Sequence, residues 1–116
     1  MATIGTVHIG DIGTTFKAEI KDANLPFDPS SAVTKSLIFS SPNDEVFTKD
    51  ATVTTSGTGA KQRWYLVYSV TTDDVDDGLN MLEGTWKWQG LVTFDDDSSY
   101  HTTIEEYEVM PNLDDV

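Results

Sequence analysis

The residues that could do chemistry fall into three groups. Asp73, Asp74, Asp76 and Asp77 precede Gly78, with Glu83 beyond, which is the composition of a calcium loop. The register does not fit one. With Gly78 at the sixth loop position, the third falls on Val75 and the twelfth on Gly84 rather than Glu83. Asp95, Asp96 and Asp97 form a second cluster at an expected hairpin tip. Both clusters read as solvated acidic loops, so no cofactor is expected. Ca²⁺ at these loops stays open, since the end loops of a sandwich can bring distant carboxylates together.

The histidines are the second group. His8 and His101 are the only two, and a hydrolase would pair one with a nucleophile and an orienting carboxylate. Asp97, Ser98 and Ser99 lie near His101 in sequence, but neighbours along a strand alternate faces and do not converge. No Gly-x-Ser-x-Gly elbow is present, and no carboxylate pair is singled out for glycoside chemistry. Gly10-Asp11-Ile12-Gly13 lacks the strand-to-helix context of a phosphate loop. The expectation is a protein with no catalytic residues.

The third group is aromatic. Trp64, Tyr65, Tyr68, Trp86, Trp88 and Tyr100 could line a sugar-binding surface. Alternation assigns Trp64, Tyr68, Trp86 and Trp88 to inward faces, which leaves Tyr65 and Tyr100 for a partner or ligand.

These residues are positioned by strands. In residues 84–94, GTWKWQGLVTF, Trp86, Trp88, Gly90, Val92 and Phe94 share one face, while Thr85, Lys87, Gln89, Leu91 and Thr93 share the other. That is the alternation of a half-buried strand, and two tryptophans on one face mark it as the central core strand. Further strands are predicted over 3–9, 14–21, 35–41, 46–54, 62–70 and 99–110. In the last, Ile104 and Tyr107 fall on opposite faces, which predicts a bulge near Glu105-Glu106. Residues 22–31 form a loop anchored by Leu25 and Phe27. Pro42-Asn43-Asp44-Glu45 makes a hairpin turn. Residues 71–83 could hold one helical turn, with Thr72 as cap and Leu79 and Leu82 covering the end of the core. About seven strands with short turns and no long helix predict an all-β, immunoglobulin-like antiparallel β-sandwich. The expected organisation is one domain over 1–110 and an acidic tail over 111–116.

Composition narrows the partners. The 116 residues contain no cysteine, so disulfides and thiolate metal sites are excluded, and twenty acidic residues against seven basic give a net charge of −13. Nucleic acid and anionic membranes are disfavoured, because both require a basic footprint. The N-terminus has no basic region followed by an apolar run, so no signal peptide is expected.

The order of segments resembles the N-terminal immunoglobulin-like domain of the tailed-phage baseplate upper protein family. The matching residues are 9–16 (IGDIGTTF), Lys21-Asp22, Ser30-Ser31-Ala32, 39–44 (FSSPND), 84–90 (GTWKWQG), Tyr100-His101-Thr102 and 107–113 (YEVMPNL). This sequence has Pro-Asn-Asp-Glu where the family's turn carries glycine, and it stops at Val116 where family members continue into stalk regions. The resemblance implies a virion structural protein made in the host cytoplasm and placed on the tail or baseplate in many symmetric copies. It would act as an adaptor or fibre-attachment module through contacts with other virion proteins. The alternatives are a capsid decoration or neck protein of the same fold, or a carbohydrate-binding adhesion module that takes a host glycan. On this reading the contact residues are Tyr65, Lys87, Gln89, Leu91 and Tyr100, with strands 3–9 and 46–54 as edges.

Overall fold

The structure is a computed structural model that describes residues 6–22, 25, 26, 29 and 31–111. The strands, in chain order, are β1 (Thr6–His8), β2 (Thr15–Glu19), β3 (Lys21–Asp22), β4 (Leu25–Pro26), β5 (Thr34–Ser40), β6 (Val46–Asp50), β7 (Thr52–Ser56), β8 (Arg63–Ser69), β9 (Gly84–Thr93), β10 (Ser99–His101) and β11 (Glu105–Met110). A 3₁₀ turn, Gly59–Lys61, precedes β8, and a short helix, α1 (Thr72–Asp76), follows it.

Two sheets hold the core. Sheet A runs β1-β11-β9-β5-β6, with β10 also on β9, and sheet B runs β2-β8-β7. A small hairpin joins β3 to β4. The order of sheet B, with the second strand against the strand before the helix and then β7, is the B-E-D order of an immunoglobulin-type sandwich. Sheet A supplies the facing G-F-C layer in β11, β9 and β5.

The tryptophan strand is central. β9 pairs with β5 along Lys87–Thr93 on one side and with β10 and β11 on the other. Its burial alternates strictly from Thr85 to Val92: Trp86 is 0% exposed, Trp88 2% and Val92 1%. Phe16 of sheet B inserts against this face. Its ring lies 4.9 Å from Phe39, 5.2 Å from Trp88 and 5.1 Å from Tyr107. An aromatic cluster thus joins the layers of a chain without cysteine. Trp64, expected in the core, is only half-buried and stands outside the buried cluster.

Gly90 sets the distance between the layers. A Cβ there would lie 2.9 Å from Leu66 Cδ1, 3.0 Å from Thr102 Cγ2 and 3.3 Å from Ala18 Cβ. Leu66 and Ala18 belong to the opposite sheet, so the two sheets close around a position with no side chain. Gly90→Ala is expected to lower stability by about 1–3 kcal/mol through overpacking. A urea titration with an unchanged slope checks it, and a midpoint equal to wild type would show that the layers yield without cost.

Several expectations need correction. The strand expected over 46–54 is two strands. β6 ends sheet A, β7 ends sheet B, and the chain changes layers at buried Ala51, whose N–H donates to the Lys35 carbonyl at 2.8 Å. The sandwich is not wholly antiparallel, because β1 runs parallel to β11 with Val7 beside Val109. The last strand does carry a bulge, but upstream of Glu105-Glu106. His101 opposes Leu91 and Glu105 opposes Trp88, so four steps along one strand match three along β9. Thr102 still bonds Gly90, which puts the extra residue at Thr103-Ile104. The cap of α1 is Thr71 rather than Thr72, and only Leu79 of the two leucines is buried, Leu82 being 40% exposed. Residues 3–5, Phe27, the side chain of Leu25 and residues 112–116 of the acidic tail lie outside the described residues.

Candidate functional site

Pairing across sheet A decides which side chains share its outer face. Lys87, Gln89 and Leu91 of β9 oppose Ser40, Ile38 and Ser36 of β5. Ile38 and Ser40 oppose Thr48 and Val46 of β6. On the other side, Thr85 and Lys87 oppose Glu108 and Glu106 of β11. Lys87, Gln89 and Leu91 therefore do lie together, within a broad face that runs from β1 to β6. Apolar groups break its polar surface. Val46 is 65% exposed and Ile104, carried outward at the bulge, is 57% exposed. Ile38, Ile104, Ser40, Lys87 and Gln89 line a shallow groove of about 230 Å³ on this face.

The members of this face are held in different ways. Gln89 is half-buried, and its Nε2 donates to the Thr102 carbonyl at 2.9 Å, so its amide pins the bulge. Gly90 N–H donates to Thr102 Oγ1 at 2.7 Å beside it. Thr85 Oγ1 donates to Glu108 Oε1 at 2.5 Å. Lys87 is exposed and lies across from Glu106.

The other two expected contact residues lie elsewhere. Tyr65 is on the outer face of sheet B, opposite Glu19 and Thr54, with Lys17 Nζ 4.7 Å from its ring centroid. Tyr100 opposes buried Val92 and packs against the core. It lines a recess of about 330 Å³ beside Ala18, Glu19, His101 and Glu105. The five residues thus occupy three regions. Ile38, Val46 and Ile104 were not among the expected contact residues. An isoleucine between the inward Leu37 and Phe39 was the available signal for the first, and the parity slip at Ile104 for the third.

The acidic clusters are used locally. Asp74 is 4% exposed and accepts from the Tyr68 hydroxyl, from the Thr71 N–H at 2.9 Å and from Lys49 Nζ at 3.0 Å. Thr71 Oγ1 in turn accepts the capping bond from Asp74 N–H at 3.3 Å, closing a capping box. This network ties α1 to β8 and β6. Burial pushes the Asp74 carboxyl up, but its bonds from Tyr68, Thr71 and Lys49 outweigh it and hold the pKa below the usual value of 3.8. Burial and the Asp74 carboxylate push the Tyr68 hydroxyl up to about 12. At the other tip, Asp96 Oδ1 accepts from Ser98 N–H at 3.0 Å and from its hydroxyl at 2.5 Å, closing the turn and lowering its own pKa. His8 and His101 are both exposed, on β1 and β10.

A depressed Asp74 pKa favours the folded state at any pH above the unfolded carboxylate value, and that contribution disappears as pH falls through the folded pKa. The raised Tyr68 pKa gives the opposite limb, with its contribution lost as pH rises through about 12. Asp74→Asn is expected to lower stability at neutral pH by about 1–3 kcal/mol, since it weakens charge-assisted bonds to half-buried partners. The acid limb of stability against pH, measured by denaturant titration, should flatten in this variant. An identical acid limb in both proteins would remove Asp74 from the account.

The two-layer packing and strand order define an all-β sandwich with immunoglobulin-like topology. No family model matches the chain, and comparison with curated proteins returns no match.

Proposed function

We propose that this chain is a non-catalytic structural module of a tailed-phage virion, docked on neighbouring proteins of the tail or baseplate. The reading is carried by the ordered run of segments that resembles the baseplate upper protein family, GTWKWQG foremost. The broad outer face of sheet A supports it as a docking surface. Val46 and Ile104 expose apolar area there, around the Ile38–Ile104 groove. A protein of net charge −13 favours neighbours that present basic residues at the rim of the contact.

Purified particles test the assignment. Mass spectrometry should detect the chain in stoichiometric amount, and cryo-EM should place a sandwich-sized density on the tail or baseplate. Density on the head would transfer the same fold to a capsid decoration role. Absence from particles would overturn the virion reading.

A further inference from the structure

The two outer faces of the sandwich differ in charge and shape. On sheet A, Glu106, Glu108 and Asp50 face outward against Lys87. On sheet B, Lys17 and Arg63 share the outer face with Glu19, and Lys61 is exposed in the adjoining turn. Arg63 Nε lies 3.4 Å from Glu19 Oε2, which leaves Lys17 and Lys61 as the excess positive charge. Among the described residues, the balance is three carboxylates to one cation on one face, and three cations to one carboxylate on the other with its adjoining turn. In a chain with only seven basic residues, that concentration makes sheet B the less acidic pole of the molecule. The shapes are complementary as well. Sheet A offers the groove between Ile38 and Ile104, and sheet B offers Tyr65, its ring flanked by the Lys17 ammonium.

We propose that the outer face of sheet B on one copy stacks on the outer face of sheet A on a second copy. Tyr65 seats at the Ile38–Ile104 groove, with Lys17 and Lys61, the cations that Glu19 does not neutralise, facing Glu106 and Glu108. Charge complementarity selects this pairing. Two sheet A faces together would oppose Glu106 and Glu108 to their own copies, whereas the mixed pairing brings opposite signs together. Tyrosine is also among the residue types that dominate contact energies. The contact is heterologous, so each added copy leaves one face of each kind open, and the assembly propagates as a ring or a stack. Tyr65 and Lys87 cannot share one site within a copy, since they lie on opposite layers, but they meet across this contact. The inference rests on the reading of the chain as a repeated structural module only for its setting. The association itself is a property of the chain alone.

Sedimentation velocity over rising concentration at low ionic strength tests it. The wild-type average mass should climb past the dimer, without limit for an open stack or to a larger closed size for a ring. Tyr65→Asp spoils only sheet B and Ile104→Asp only sheet A, so each alone should stay monomeric. Mixed in equal amounts, they should form a dimer and nothing larger, because one intact face of each kind remains. A wild type that stays monomeric overturns the proposal. So does a dimer plateau, or a mixture that fails to associate. Should either aspartate variant lose its circular dichroism signal, Tyr65→Ser and Ile104→Ser give the same readout at these outward positions. A monomeric wild type that is nevertheless found in particles would reject the stacking and keep the virion reading. Absence from particles would do the reverse.

Discussion

Trp86→Ala should lower the stability of the domain by about 3–5 kcal/mol, the range for emptying a buried aromatic site. Trp86 is fully buried, with Phe47 and Tyr107 at ring distances of 5.7 and 6.3 Å. Its Nε1 donates to the Leu82 carbonyl at 2.8 Å, tying the start of β9 to the corner that precedes it. In immunoglobulin-type folds a tyrosine hydroxyl makes a comparable corner bond. Thermal melting reads the loss at about 4 °C per kcal/mol for a domain of this size. A variant that melts with wild type would mean that the tryptophan faces outward and that the sheet faces are inverted. The two core tryptophans also separate by polarity. Trp88 Nε1 is buried without a hydrogen-bond partner among the described residues. Trp88→Phe should therefore be the milder change, whereas Trp86→Phe leaves the Leu82 carbonyl without its donor.

Phe16→Ala should cost a similar amount, about 3–5 kcal/mol, for a different reason. Phe16 is the ring of sheet B that meets Phe39, Trp88 and Tyr107 of sheet A together. Its removal opens a cavity between layers that already meet over Gly90, and strands fixed by their ladders close it poorly. A double-mutant cycle with Trp88→Leu isolates the edge-to-face contact, expected at about 0.5–1.5 kcal/mol. A coupling of zero would reduce Phe16 to filling volume alone.

The segments of this fold that follow local rules were legible. The alternation of Trp86, Trp88 and Val92 identified the central strand, because a period of two is written into neighbouring residues. The bulge announced itself in the opposed parity of Ile104 and Tyr107. Its position did not, since Thr102 serves both registers through its backbone and its hydroxyl. The division at Ala51 was hidden because the even positions Val46, Thr48, Asp50, Thr52 and Thr54 are all exposed, so one period of two runs on through it. The sheet a residue joins depends on a distant partner, here the Lys35 carbonyl. The same limit applied to the contact residues. Alternation placed Lys87, Gln89 and Leu91 on one face correctly, yet it could not show that Tyr65 belongs to the other layer or that Tyr100 turns inward with Val92. Strand order, which fixes these, is set by contacts far apart in sequence. Asp74 was hidden in another way. Aspartates crowded into one short loop look alike until one of them meets Tyr68 and Lys49.

The parallel pairing of β1 with β11 bears on how the domain carries load. Both strands point the same way, with Thr6 beside Glu108 and His8 beside Met110, and Ile9 N–H donates to the Met110 carbonyl at 3.0 Å. Tension that enters ahead of β1 and leaves after β11 draws the two strands along each other. Every bond between them is then strained together, where a hairpin pulled at its open end would unzip bond by bond. The seam between the first and last described strands is thus a shear clamp. Force applied across the two ends of the domain would meet this seam as its mechanical threshold.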